Sequence, residues 1–229
     1  RDPEMSRGLG DVYKRQLHFM TKAERLEAEI KRTELMKEFD REYKIYGTIC
    51  GIDEAGRGPL CGPVVAAAVI LPDEYNILYI NDSKKLSETK REEVYKEIDK
   101  YAVAYGVGIV SPERIDEINI LQATYEAMRT AIHKLSVKPD ILLNDAVTIP
   151  MVDIKQVPII KGDAKSQSIA AASIVAKVTR DHLMEEYDKL YPEYGFAKHK
   201  GYGTAAHIKA IKEYGPCPIH RRTFIKNFI

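Results

Sequence analysis

Residues 51–71 read GIDEAGRGPLCGPVVAAAVIL. An apolar approach, Thr48 to Asp53, runs into two adjacent acids, Asp53 and Glu54. A turn follows, Gly56 to Pro63, and then a second apolar run, Val64 to Leu71. Short β-branched and small-residue runs bounded by Gly and Pro are the mark of buried strands. Acids next to such a strand are costly to bury unless something positive compensates them. In a continuing strand, neighbouring side chains face opposite sides. The glycines imply instead that the strand ends here and swings Glu54 back toward Asp53.

Working outward, strand-like and helix-like patterns alternate. Ser87–Tyr101 has helical spacing, with Val94, Ile98 and Tyr101 on one face. Val103–Val110 reads as a strand stopped by Ser111-Pro112. Leu121, Tyr125, Met128, Ile132 and Leu135 give a helical stripe. Ile141–Asn144 is a short strand that delivers Asp145, and Ile154–Ile160 is another strand. Ser166–Tyr191 and Thr204–Tyr214 are helices. Upstream, Thr21 and Glu24 form a capping box, followed by Leu26, Ile30, Met36, Phe39, Tyr43 and Tyr46 at helical spacing. This order predicts an α/β protein, a central mixed β-sheet flanked by helices, with an N-terminal helical extension. The expected organisation is a disordered leader or cloning scar over 1–16, the extension over 17–46 and one catalytic domain over 47–229. The closing FIKNFI is expected to pack.

The chain's 229 residues suit one domain with an appendage, and 45% apolar content is enough for a substantial core. A net charge of +1 names no partner. The segment from Gly195 onward is more basic: Lys198, Lys200, Lys209, Lys212, Arg221, Arg222 and Lys226 stand against the single acid Glu213. On charge alone, a phosphate-holding face and a solvated helix and tail are equally supported. Cys50, Cys61 and Cys217 are odd in number and widely spaced, which argues against a disulfide framework and a structural zinc site. Reduced thiols in the cytoplasm are expected. The longest strongly apolar run, Val64–Leu71, is far too short to span a bilayer.

Four carboxylates fall at the ends of apolar segments: Asp53, Glu54, Asp145 and Asp163. Ligands of open α/β sheets gather at strand ends. Converging carboxylates repel unless a cation holds them. Oxygen ligands without Cys or His favour Mg²⁺ or Mn²⁺, and two such ions roughly 3.5–4 Å apart form a phosphoryl-transfer clamp. Each acid taken singly has a plainer reading as a turn former or cap, Asp163 above all. Gly56-Arg57-Gly58 can bring backbone close to a ligand, or be a tight turn. Lys84 in NDSKKLS can neutralise a phosphate, or be solvated. Tyr202, between glycines in HKGYGT, can stack on a sugar or base, or cap the core.

Taken together, GIDEAGRGPLCGPVVAAAVIL, NDSKKLS, LLNDAV, IIKGDAKSQSIAAASIVAKVTRD and HKGYGT, in that order, resemble ribonuclease HII, the bacterial type 2 ribonuclease H. The resemblance runs from about Gly47 to the C-terminus. It implies a ribonuclease H-like fold and an endonuclease that cuts the RNA strand of RNA–DNA hybrids. It also implies cutting 5′ to single ribonucleotides in duplex DNA, leaving 3′-hydroxyl and 5′-phosphate ends, and with that a place in ribonucleotide excision repair. By motif, Asp53, Glu54, Asp145 and Asp163 would be catalytic and hold two Mn²⁺ or Mg²⁺ ions. Gly56, Arg57 and Gly58 would read the 2′-hydroxyl, Lys84 would contact phosphate, and Tyr202 would sense the sugars at the junction. The partner would be nucleic acid, with no membrane and no second subunit. SIAAASIVAK is assigned to packing. Competing readings are ribonuclease HIII, which usually carries a larger N-terminal domain, a binding module without catalysis, and a structural protein whose stability ignores metal.

Overall fold

A computed structural model describes residues 21–227. Five strands form one mixed sheet in the order β3-β2-β1-β4-β5. They are β1 (Ile49–Ala55), β2 (Val64–Ile70), β3 (Ala104–Val110), β4 (Ile141–Asp145) and β5 (Lys155–Ile159). β1, β2 and β3 run antiparallel in turn, while β4 is parallel to both β1 and β5. The principal helices are α1 (Lys22–Arg41), α2 (Glu88–Tyr101), α3 (Pro112–His133), α4 (Gln167–Leu190) and α5 (Ala205–Tyr214). Ser87, Ser111, Ser166 and Thr204 cap the last four through their side-chain oxygens.

The sheet has two buried faces because β2, VVAAAVI, is apolar on both. Val65, Ala67 and Val69 face α4, with α2 and Met36 of α1 completing that layer. Val64, Ala66 and Ala68 face α3. Small residues set how closely the helices approach. A Cβ on Gly51 would sit 2.1 Å from the Ser168 carbonyl carbon, and one on Gly108 would sit 1.9 Å from the Ala127 oxygen. The Ala- and Ser-rich start of α4 is buried throughout, from Gln167 to Ala176, as its packing assignment requires.

Three expectations need correction. On α1 the buried positions are Thr33, Met36, Lys37 and Asp40, whereas Leu26, Ile30 and Tyr46 are exposed. The helix reaches the domain from Glu29 onward, where Glu29 accepts the Tyr79 N–H at 2.8 Å, and its buried positions lie in the C-terminal half. There Asp40 Oδ2 accepts both the N–H and the hydroxyl of Ser168, each at 2.8 Å, on the first turn of α4. On α3 the contact face is Ala123, Thr124, Ala127, Met128 and Ala131, and Leu121 is exposed. The glycines of β3 bring the helix in at its alanines, while Tyr125, Ile132 and Leu135 of the expected stripe pack half-buried at the margin of that face. The helix also starts earlier than expected, at Pro112, with a break at Asn119 (φ 67°). On α2, Tyr101 leaves the core face and stacks on Tyr75 at 4.2 Å. The C-terminal segment packs as expected through Ile225 and Phe224. The expected leader, 1–16, lies outside the described residues, as do 17–20 and the last two residues of FIKNFI.

Candidate active site

β1 and β4 lie side by side and parallel, so their C-terminal ends open on the same edge of the sheet. Asp53 lies near the end of the first and Asp145 at the end of the second. Asp145 Oδ1 accepts the Gly162 N–H at 2.8 Å, which pins the 3₁₀ turn Gly162–Ala164 and with it Asp163. Asp53, Asp145 and Asp163 each offer an oxygen within 4.8 Å of the others. Ser166, not Asp163, caps α4 by accepting the Ile169 N–H at 3.1 Å. The plainer reading of Asp163 as a helix cap therefore fails.

Glu54 is placed differently from the expectation. β1 does not stop at the acids but pairs through Ala55, with Asp53 opposite Ala67, Glu54 opposite Ala66 and Ala55 opposite Val65. Residues paired across antiparallel strands share a face. Asp53 therefore points to the α4 side with Ala67, and Glu54 to the other side with Ala66. Glu54 accepts from Arg57 Nη1 at 3.3 Å instead of turning back to Asp53.

The electrostatics are those of crowded acids. Asp53 is only 6% exposed, and burial, then the neighbouring Glu54 charge, push its carboxyl well above the ordinary range. Burial also raises Glu54, with Arg57 opposing. Burial raises Asp163, with Asp82 and Asp145 adding to it and Lys85 and Lys84 opposing. Three carboxylates of separate segments brought together, with no sulfur or imidazole among them, fit a hard divalent cation such as Mg²⁺ or Mn²⁺.

Beside the acids, the Gly56–Pro63 loop is held from behind by two buried guanidinium groups. Arg221, fully buried, donates to the carbonyls of Gly56 (2.6 Å), Arg57 (3.0 Å), Pro59 (2.9 Å), Gly62 (3.0 Å) and Pro63 (3.2 Å). Arg180 donates to Pro63, Cys61 and Lys200 carbonyls at 2.8–3.0 Å. Burial pushes the Arg221 guanidinium down to about 9, still protonated at neutral pH. A planar trans peptide sets its N–H opposite its C=O. Carbonyls of Gly56 and Arg57 that point at Arg221 therefore turn the amides of Arg57 and Gly58 away from it. Gly56 itself needs its missing Cβ, with φ at +94° and Arg180 Nε 2.1 Å from where a Cβ would lie. The Tyr202 ring stands beside this loop: a Cβ on Gly58 would meet its Cε1 at 3.9 Å. Tyr202 is 44% exposed.

Lys84 and Lys85 sit exposed in the turn before α2. Arg91 holds that turn from inside, donating to the carbonyls of Ser83 (2.9 Å) and Leu86 (3.1 Å) and pairing with Asp181 (3.1 Å). All the residues singled out from sequence thus fall around one edge of the sheet. The buried arginines were missed. Arg221 read as tail charge and is instead core. Arg180 had a legible signal, since it continues the buried face of α4 through Ser173, Ala176, Arg180 and Met184.

Comparison with known proteins gives the family and the fold. The family model for ribonuclease HII matches residues 50–227. The ribonuclease HII of Lachnoclostridium phytofermentans is 67% identical, over 89% of this chain and 80% of its own length. That of Caldanaerobacter subterraneus is 60% identical, over 89% and 86%. In three dimensions the ribonuclease H2 of Pyrococcus horikoshii superposes with a TM-score of 0.66 at 30% identity, covering 79% of this chain and 96% of that one. Matched over most of its length, the chain belongs to the ribonuclease HII family and is a ribonuclease H, a divalent-metal-dependent endonuclease acting on RNA–DNA hybrids.

Proposed function

We propose that this chain also cuts duplex DNA 5′ to a single embedded ribonucleotide, breaking the P–O3′ bond and leaving 3′-hydroxyl and 5′-phosphate ends. The observation that carries the reading is the adjacency of two devices. The Asp53, Asp145 and Asp163 oxygens converge within 4.8 Å, and the turn that follows Asp53 and Glu54 brings Gly58 up to the Tyr202 ring, 3.9 Å from where a Cβ on Gly58 would lie.

Asp53, Asp145 and Asp163, with Glu54 at the same strand end, would hold two Mg²⁺ or Mn²⁺ ions. Bound there, such ions activate water and stabilise the leaving oxygen. The remaining work falls to the chain's own groups. The amides of Arg57 and Gly58, turned outward by Arg221, would meet the 2′-hydroxyl, the group that separates RNA from DNA. The Tyr202 ring would lie against the sugars of the junction. Lys84 would hold a phosphate near the scissile bond. The three cysteines are free and buried, which suits a reducing compartment such as the cytoplasm. Among the described residues no helix is long and apolar enough to cross a membrane. Residues 47–229 would be the catalytic unit and 17–46 an extension of it.

Two labelled duplexes test the proposal, one with a single ribonucleotide and one all DNA, each incubated with Mn²⁺, Mg²⁺ or EDTA. Wild type should cut only the first, at the 5′ side of the ribonucleotide, and only with metal. Asp145→Asn should lose at least about 10²-fold in rate. Cutting of continuous hybrids without cutting at the single ribonucleotide would refute the proposal and leave the hybrid activity standing.

A further inference from the structure

Behind Tyr202 lies a group of imidazoles that the site described above does not use. His207 is fully buried and His220 nearly so. Their Nε2 atoms are 3.0 Å apart. His207 Nδ1 lies 2.9 Å from the Tyr202 carbonyl oxygen, and His220 Nδ1 accepts the Cys217 N–H at 3.0 Å. His199 stacks on His207 at 4.5 Å, its Nδ1 accepting the Gly201 N–H and its Nε2 reaching the Tyr194 carbonyl at 2.8 Å.

These partners fix the protons. A carbonyl oxygen only accepts, so His207 carries its proton on Nδ1 and leaves Nε2 bare. His220 Nδ1 receives a backbone N–H, so it is bare and the proton of that ring sits on Nε2. The bond between the rings then runs from His220 Nε2–H to His207 Nε2. The bonds form one directed chain: Cys217 N–H, His220, His207, Tyr202 O=C. With both rings neutral every donor meets an acceptor, and the Cys217 thiol, its Sγ 3.1 Å from His220 Nδ1, faces the same bare nitrogen. Burial favours the neutral rings, lowering both and taking His220 to about 4.

Cys61 Sγ and one ring nitrogen of each of these histidines lie within 4.8 Å of one another, so the three side chains also have the types and spacing of a soft-metal site. The bonding opposes that use. An ion on His220 Nε2 would displace its proton to Nδ1, where it would face the Cys217 N–H at 3.0 Å with only the weak acceptor Cys217 Sγ, 3.1 Å away, to receive it.

We propose that His220 and His207 are positioning residues, a hydrogen-bonded wire that fixes the Tyr202 backbone against the C-terminal segment and so aims the ring at the substrate sugar. The aim, but not the wire, rests on the role given to Tyr202 above. The same carbonyl also accepts the Thr204 N–H at 2.8 Å, and the Tyr202 N–H donates to His199 O at 2.9 Å, so the loop is held at several backbone points with the wire at its centre.

Nitrogen-15 NMR of the histidine-labelled full chain reads the wire directly. The expected spectrum shows His207 as the Nδ1–H tautomer, His220 as the Nε2–H tautomer, and a scalar coupling across the bond between them. Two rings of the same tautomer would overturn the proposal. So would one equivalent of Zn²⁺ binding to the wild type and shifting both rings. In His207→Phe, amide exchange at Tyr202 and Gly203 should quicken and kcat/KM on the single-ribonucleotide duplex should fall about tenfold. His207→Asn, whose side-chain amide can replace the Nδ1 donor, should recover most of it. In a Tyr202→Ala background the His207→Phe change should cost less than about twofold more. A full, independent loss there would refute positioning through Tyr202. If Tyr202→Ala alone cuts like wild type, the sugar-sensing role is lost, and unchanged exchange at Gly203 in His207→Phe would remove the wire as well. Should His207→Phe fail to fold, the wild-type tautomers still decide.

Discussion

The two sides of the candidate site pose opposite electrostatic problems. At the strand ends three aspartates converge, and among the described residues none of them forms an ion pair. A few residues along, Arg221 and Arg180 bury positive charge, and among the described residues neither has a carboxylate partner. Each half is costly by itself. Like charges on the acid side raise one another's pKa. On the arginine side the cost is offset by eight backbone carbonyl bonds shared between the two guanidinium groups. The difference teaches which half is finished within the chain. The arginine frame is complete and shapes a rigid loop, whereas the acids are arranged for cations the chain does not itself supply.

The frame should therefore be the more fragile to mutation. Arg221→Ala takes this donor from the carbonyls of Gly56, Arg57, Pro59 and Gly62, while Pro63 keeps Arg180, and is expected to cost about 3–5 kcal/mol of unfolding free energy. Arg221→Lys keeps the charge but not the planar fork, and should recover only part. Urea unfolding measures both, and a loss under about 1 kcal/mol for Arg221→Ala would mean that the loop holds itself.

The opposite end of the molecule tests a third arrangement, an acid placed at a helix N-terminus. The α4 dipole favours a charged Asp40, but burial wins and raises its carboxyl to about 6, from an ordinary value of 3.8. Asp40 then contributes most stability below about pH 4, and that contribution is lost as pH rises through 6. The upper bound is about 3 kcal/mol. Asp40→Asn keeps an oxygen for Ser168 and removes the titration. It should flatten the pH dependence of stability between 4 and 6 and equal or exceed wild type at pH 7.5. If the dipole outweighs burial, Asp40→Asn will instead be the less stable protein at pH 7.5.

On the acid side the sign reverses relative to the frame. Removing one charge by Asp53→Asn relieves repulsion and should stabilise the metal-free protein by about 1–2 kcal/mol. The same change should abolish the added stability that Mn²⁺ gives wild type. A mutant less stable than wild type without metal would show that Asp53 is held chiefly by its bond to the Glu54 N–H, at 2.7 Å.

The sequence made the acid half legible because strand-end carboxylates follow from short-range patterns: an apolar run, an acid, then a glycine or a helix start. The alternation of strands and helices and the packing role of Ser168 to Lys177 were legible for the same reason. Glu54 was misread because turn glycines were taken to end the strand, while pairing with Ala66 and Val65 of β2 carries it on to Ala55. The frame was largely opaque. Nothing local distinguishes the buried Arg221 from the exposed Arg222 next to it, since the difference is made by carbonyls some 160 positions away in sequence. The histidine wire was opaque likewise, being assembled from residues whose meaning lies in which nitrogen faces which backbone group.

The smallest expected effect concerns Lys84, and it sharpens the comparison because this charge belongs to neither half. Lys84 is exposed, its own N–H is tied to Asp82 Oδ1 at 3.0 Å, and its ammonium makes no ion pair among the described residues. Its field reaches Glu54 and Asp163. A lysine so placed can either steady the acids or hold a substrate phosphate. In the first case Lys84→Ala would weaken Mn²⁺-dependent stabilisation and leave the salt dependence of substrate binding untouched. In the second, KM for the ribonucleotide duplex should rise by about three- to tenfold with little change in kcat. The slope of log affinity against log salt should then fall by about one. The phosphate reading is the one expected, because an exposed cation interacts weakly with acids across solvent, whereas a phosphate approaching the edge of the sheet meets it directly.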